Sequence, residues 1–294
     1  MRKKEKRTEH KIVSHAARAI LIFSTLLTLW LFFRYKNLNL NRLSRLTFVV
    51  CDLNDQTAVF SFEDKKGLIL KLPAKEKINL AYGFGEYELG KIYLLGELEK
   101  KGGMLLIESI RNWLSIPIFG YFVAEEVNID DLDSSPKKIF TEIFLKSLAG
   151  KIKTNLNKFE LISLYLRVSN LNELQRATKD SNFSVKSIFE DRKLREEAVP
   201  IGIFNATNHA GLAQKEAAFL EKVGGRVVRV ADKEKNEDKC KLSVRSNLQQ
   251  SYTFYWLKHV YNNCQIELSQ SDLDRADINL SLGENEWKKL NQKW

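Results

Sequence analysis

Apolar positions fall into three regimes along the chain. Ala19 to Phe33 is a run of fifteen residues without a charge and without a polar face, the pattern of a helix apolar all round rather than of an amphipathic surface helix. From residue 46 the spacing changes. Leu46-Thr-Phe-Val-Val-Cys51, Thr57-Ala-Val-Phe-Ser-Phe62 and Gly67-Leu-Ile-Leu-Lys-Leu72 are short β-branched and aromatic runs. They predict three strands, the second and third joined at Glu63 to Gly67 and the third ended by Pro73. Helical spacing predicts helices over 104–114, 137–149 and 157–169, with Ser135-Pro136 as a cap and first helical residue, and a strand over 118–123. The third regime opens at Val199. A strand (199–204), a turn (205–209), a helix (210–223), a Gly224-Gly225 stop and a returning strand (226–230) spell a βαβ unit. A helix near 250–261 and strands over 264–268 and 276–282 follow. The class is therefore α/β: an N-terminal transmembrane helix, a mixed α/β domain and a small βαβ-type domain.

Charge sharpens the first regime. The 294 residues carry 47 Lys and Arg against 37 Asp and Glu, a net +10. Eleven of the basic residues and two of the acidic ones lie in the first 50, so the remaining 244 residues carry only +1. A nucleic-acid partner would need the surplus on the folded part, so no such partner is expected. Fifteen helical residues reach about 22 Å, short of the roughly 30 Å hydrocarbon core. Ala16, Ala17 and the stems of Arg18 and Arg34 extend the span, with Leu21 and Leu27 inside it and Trp30 and Phe33 toward its outer boundary. Phe33 is followed by Arg-Tyr-Lys-Asn, which is no signal-peptidase site, so the segment reads as an uncleaved signal anchor. Seven basic residues precede it and four follow. The N-terminus is then cytoplasmic, the chain single-pass in the cell membrane, and its bulk extracytoplasmic.

Candidate chemistry is sparse. Cys51, Cys240 and Cys264 lack a C-x-x-C pair and the four His lack ligand spacing, so no metal site is expected from them. Cys240 and Cys264 fit either an exoplasmic disulfide or two separate buried thiols, and Cys51 reads as a strand residue. Residues 124–135 form an acidic loop whose five carboxylates match no cation-loop spacing. The turn Asn205 to His209 precedes a helix start, where free N–H groups favour anions; Asn205, Thr207, Asn208 and Gly211 are the binding candidates, against the alternative of a side-chain cap.

Gly202-Ile-Phe-Asn-Ala-Thr-Asn-His-Ala-Gly-Leu-Ala213 resembles the opening of the LytR C-terminal domain, with Asn205, Thr207, Gly211, Leu212 and Ala213 matching and Ala206 in place of the usual Gly. The ending Ala276-Asp-Ile to Leu282-Gly283 is similar too. Upstream, Lys77-Ile-Asn-Leu-Ala-Tyr82, Gly102-Gly103, Ile116-Pro-Ile-Phe-Gly-Tyr121 and Thr154-Asn-Leu156 resemble, in order, motifs of the LytR-CpsA-Psr domain. With the charge and hydropathy pattern, the resemblance gives a basic leader (1–18), anchor (19–35), stalk (36–45), degenerate LytR-CpsA-Psr-like domain (46–177), linker (178–197), LytR C-terminal domain (198–287) and tail (288–294).

Active members of that family transfer glycopolymers from polyprenyl-diphosphate carriers to peptidoglycan. Phosphoryl transfer needs cations on the pyrophosphate and carboxylates for Mg²⁺. Here the family's Asp-Thr is Gln56-Thr57, with Asp55 one position early, and its Ile-Pro-Arg-Asp is Leu72-Pro73-Ala74-Lys75. The expectation is a bacterial cell-envelope protein without catalytic residues or cofactor, a binding or scaffold module. Its partners would be the lipid bilayer and polyprenyl phosphate, peptidoglycan or an envelope protein complex. The alternative is an active Mg²⁺-dependent glycopolymer phosphotransferase that has rebuilt its site from Asp55, Lys75 and Lys77.

Overall fold

A computed structural model describes residues 23–25, 39–52, 54–124, 136–178, 189–269 and 275–291. The anchor positions Leu21, Leu27, Trp30 and Phe33, the acidic loop from residue 125, and residues 179–188 lie outside them. Phe23 to Thr25 are helical, and no helix among the described residues is long and apolar enough to cross a membrane. Residues 42–294 form one compact unit.

The first half of that unit is built on a six-stranded mixed sheet. Its strands are β1 (Arg45–Cys51), β2 (Thr57–Glu63), β3 (Lys66–Leu72), β6 (Gly120–Val123), β7 (Lys153–Thr154) and β8 (Glu173–Thr178), in the order β7-β6-β1-β2-β3-β8. β1, β2 and β3 pair antiparallel, while β6 on β1 and β8 on β3 are parallel. The three central strands are buried on both faces, which is why they read as near-continuous apolar runs. One face, with Val49, Cys51, Val59 and Leu70, packs on α2 (Gly103–Leu114) and on Ile92 and Tyr93 of α1 (Ile92–Leu98). The other carries Phe48, Phe60, Phe62 and Phe122, which meet Phe140 and Phe144 of α3 (Pro136–Leu148). A capping box starts α4 (Lys158–Ser169): Asn157 Oδ1 accepts from Glu160 N at 3.0 Å and Glu160 Oε2 from Asn157 N at 2.9 Å. A small hairpin, β4 (Lys77–Leu80) with β5 (Gly85–Glu88), sits between β3 and α1.

The second half holds α5 (Arg192–Glu197), β9 (Pro200–Asn205), α6 (Leu212–Lys222), β10 (Arg226–Asp232), β11 (Lys241–Arg245), α7 (Tyr252–Val260), β12 (Gln265–Ser269), β13 (Ile278–Leu282) and α8 (Glu284–Asn291). Its five strands run β10-β9-β13-β11-β12, with β9 and β10 parallel as the βαβ pattern requires. Among the elements without a counterpart in the sequence reading are α1, α5, β8, whose six residues include only two apolar ones, β11, which follows a charged loop, and α8, whose second half falls in the expected tail.

Two expectations are corrected. The polar stalk does not extend to residue 45: Leu43 and Ser44 are buried and Arg45 opens β1. The expected linker holds β8's last residue and α5, and Phe189, Asp191 and Leu194 are buried. Asp191 accepts from Leu194 N at 3.1 Å as the α5 cap, and from the Tyr252 hydroxyl at 2.5 Å.

Cys240 and Cys264, Cα atoms 4.6 Å apart, form a disulfide at the starts of neighbouring strands β11 and β12, closing a loop with a sequence separation of 24. Cys51 is a buried free thiol whose pKa burial pushes up, with Asp52 adding to the effect. Reduction should lower unfolding stability by about 3 kcal/mol, read from urea titrations with and without reductant. In the unreduced native protein no thiol should react with a maleimide, and unfolding should expose one.

Candidate functional site

Between the phenylalanine face of the first sheet and helices α3 and α4 lies an apolar cleft of about 360 Å³. Phe60 of β2 and Phe140 of α3, their rings stacked at 3.5 Å and 17°, form one wall. Val168, Leu171 and Leu174 form the other. Gly67 lets these two leucines pack against β3: a Cβ there would lie 2.6 Å from Leu174 Cδ1 and 3.2 Å from Leu171 Cδ1. The first turn of α3 supplies Lys137 and Lys138 at the mouth, Lys137 Nζ donating to the Leu171 carbonyl at 3.2 Å and Lys138 exposed. Asn172 and Glu173 complete the lining, Glu173 facing Lys66 at 3.7 Å; apolar walls with two ammonium groups suit an aliphatic chain with an anionic end, and the volume lies at the lower end of small-ligand sites, about 300–1,000 Å³.

None of Asp55, Lys75 and Lys77 lines this cleft. Asp55 sits after β1 at φ +66°, in a turn that Asp52 organises by accepting from Asn54 N and Gln56 N, each at 2.9 Å. Lys75 and Lys77 are exposed beside the pair Glu88–Lys91, 2.7 Å apart. The hydrogen bond from Lys91 holds Glu88 below its ordinary value, Lys77 and Lys75 contributing, and Asp55 in turn helps hold Lys91 up. These charges gather around one hairpin. Mg²⁺ is commonly held by one or two carboxylates together with substrate phosphates. Asp55 alone offers such a carboxylate among the candidates, and no group of three or more His, Cys, Asp or Glu converges among the described residues.

The 205–211 turn is satisfied from within. Asn205 Oδ1 accepts from Thr207 N at 3.2 Å and Thr207 Oγ1 at 2.7 Å, Asn205 Nδ2 donates to the His209 carbonyl and to Asp232 Oδ1, both at 3.1 Å, and Thr207 Oγ1 accepts from His209 N at 3.1 Å. Asn205 and Thr207 thus spend their side chains on a tight turn and on Asp232, and the helix start at Gly211 carries no side-chain cap. Asn208 and Gly211 are exposed, Gly211 ending the turn at φ +86°, which favours glycine. The His209 ring stacks on Trp287 at 3.6 Å with Nε2 3.2 Å from Glu284 Oε2, so a carboxylate already stands beside the turn.

A charged cluster that sequence spacing did not single out joins the two halves. Arg111 on α2, its side chain 12% exposed, lies 3.6 Å from Glu108 and 3.8 Å from Glu216 of α6. Its guanidinium sits over the rings of Phe219 and Tyr261, and Tyr261 donates to Glu216 at 2.5 Å. Burial alone would lower the Arg111 pKa, but Glu108 and Glu216 hold it above its ordinary value. Lys222 of α6 donates to the Leu114 carbonyl at 2.6 Å. The signal was present only as an i,i+3 Glu-Arg pair on an otherwise apolar helix.

No protein-family model matches the chain, and no curated protein matches it. Among solved structures, B. subtilis TagT overlaps at a TM-score of 0.35 and 12% identity over 47% of this chain and 79% of that one. B. subtilis TagU overlaps at 0.32 and 10%, over 45% and 83%. A transcriptional regulator from Enterococcus faecalis overlaps at 0.40 and 10%, over 62% and 89%. Scores below 0.5 carry no argument for function; the chain's own residues must supply it.

Arg111→Met strands Glu108 and Glu216 and should cost about 3–5 kcal/mol of stability by chemical denaturation. At the same seam, burial holds the half-buried His259 imidazole below its ordinary value of 6.5. The folded state therefore keeps it neutral where the unfolded chain protonates it. Its contribution is complete above about pH 6.5 and is lost as pH falls toward the lower folded value. In His259→Gln, melting temperature should fall less steeply between about pH 6.5 and 5 than in the wild type.

Proposed function

We propose that this chain is a membrane-anchored cell-envelope protein that acts by binding rather than by catalysis. It holds the isoprenoid tail of a lipid-linked glycopolymer carrier, a polyprenyl phosphate, in the cleft between the first sheet and helices α3 and α4. The anchor fixes the outer unit at the membrane surface, where such carriers reside. The observation that carries the reading is the cleft itself: a largely apolar slot of about 360 Å³ with Phe60 and Phe140 on one wall and Lys137 and Lys138 in its lining. A slot of this size takes a stretch of the tail, and the ammonium groups meet the phosphate as point charges.

What weighs against catalysis is the composition of the neighbouring loops. Ala74 and Lys75 stand where phosphoryl transfer in the resembling family places an Arg and an Asp. Loss of even one charge-stabilising contact in a transition state costs about 3–4 kcal/mol.

The second reading, a rebuilt phosphotransferase, is favoured by one observation: Asp55, Lys75, Lys77 and Lys91 gather at the β4–β5 hairpin. Mg²⁺-dependent turnover of a polyprenyl-diphosphate glycan, abolished by Asp55→Ala, would establish it in place of the binding reading.

Native mass spectrometry of the full chain with undecaprenyl phosphate should show a one-to-one adduct. Leu174→Arg, which puts a charge into the slot from a half-buried position, should weaken the adduct at least about tenfold while leaving the melting temperature close to wild type. Adduct formation no greater than that of a control membrane protein overturns the lipid reading.

A further inference from the structure

The seam between the two halves does not close completely. It leaves a second cleft of about 340 Å³, which shares no residue with the apolar slot. From the first half come Glu108 and Arg111 of α2, the Pro117–Phe119 segment and Asn155. From the second come His259 at the end of α7, the turn Asn262–Asn263, and Lys289 of α8.

The charges in this cleft are already spent on one another. Arg111 lies between Glu108 and Glu216, and Lys289 lies 3.3 Å from Glu286. The neighbouring carboxylates offset the charge of both cations, which lowers the pull on a phosphate or carboxylate ligand. What the cleft offers instead is neutral hydrogen-bonding capacity. Asn262 and Asn263 are exposed and their amides make no hydrogen bond among the described residues. Asn155 uses its Oδ1 to accept from Tyr121 N at 3.0 Å, which leaves its amide NH₂ for the cleft. His259, kept neutral by burial, offers one donor and one acceptor nitrogen. Beside it, 5.2 Å between ring centroids, lies the half-buried ring of Phe119, and Pro117 and Ile118 extend that apolar strip.

Primary amides and a neutral imidazole both donate and accept, as do vicinal hydroxyl groups. An aromatic ring flanked by aliphatic carbon matches the C–H face of a pyranose. We infer that the seam cleft is a binding site for a neutral saccharide, its hydroxyls met by Asn155, Asn262, Asn263 and His259 and one sugar face by Phe119. Because the walls come from both halves, an occupant bridges them and stabilises the seam by mass action. The inference stands apart from the lipid reading, and either can fail without the other.

The test uses the full chain in a non-glycosidic detergent, since a sugar headgroup would compete. Saturation-transfer NMR is run with N,N′-diacetylchitobiose and with maltose as neutral probes, and with adenosine and glucose 1-phosphate as contrasts. Transfer to either disaccharide is expected, with a rise in melting temperature at saturation. The exposed pair Asn262→Ala/Asn263→Ala should weaken binding about tenfold with an unchanged circular dichroism spectrum. Asn155→Asp, which keeps the acceptor for Tyr121 and removes the NH₂ donor, should do the same. The inference is overturned if neither disaccharide shows transfer at about 10 mM, a concentration that would detect even millimolar affinity. It is equally overturned if the variants bind as well as the wild type, or if adenosine or glucose 1-phosphate binds more tightly than both disaccharides.

Discussion

Burial of β1, β2 and β3 on both faces is the constraint from which the rest of the unit follows. A sheet apolar on one face needs one covering layer; this one needs two. Helices α1 and α2 cover the aliphatic face and α3 and α4 the aromatic face. The two coverings differ in kind. Aliphatic side chains on the α2 face interlock in a closed cluster, whereas large rings on the α3 face leave a gap beside Phe60 that aromatic stacking cannot fill. The apolar slot is thus a by-product of how one face is packed, and the chemistry proposed for it needs no specialised loop.

The same constraint places the second half. With α2 committed to the sheet through its apolar stripe, its opposite side carries Glu108 and Arg111, which pair with each other, while Arg111 also meets Glu216 and the rings of Phe219 and Tyr261 from the second half. A buried pair of this kind adds little net stability over an apolar contact, but it penalises any other docking of the two halves, because each alternative strands a charge.

How much of this was legible in the sequence depends on where the signal lives. The central strands and helices α2, α3, α4 and α6 announce themselves because burial imposes a period on consecutive residues, and the parallel pairing of β9 with β10 follows from connection length and handedness. β8 was harder: it lies at a sheet edge, where few positions must be apolar, and only Leu174 and Ala177 of its six residues are. The sites were less legible than the fold. Asn205 and Thr207 were noticed because their residue types suit an anion, yet the same types suit a turn that satisfies itself, and only three-dimensional neighbours such as Asp232 and Glu284 separate the two. Arg111, Asp191 and His259 act through partners far along the chain, which no local spacing can report.

One small feature bears on how the two sheets are joined. The first turn of α7 is met by the carboxylate of Glu197, which accepts from Tyr252 N at 2.8 Å and from Thr253 N and Oγ1 at 2.5 Å each. Glu197 ends α5, the short helix capped by Asp191, which in turn receives the Tyr252 hydroxyl. Asp191 and Glu197, both ahead of Val199, therefore hold the start of α7, while Arg45 N of β1 donates to Asp191 at 3.4 Å and Arg192 N donates to Glu63 at 2.9 Å, so this segment is tied to both sheets. Recombination at Val199 would separate α7 from the groups that start it.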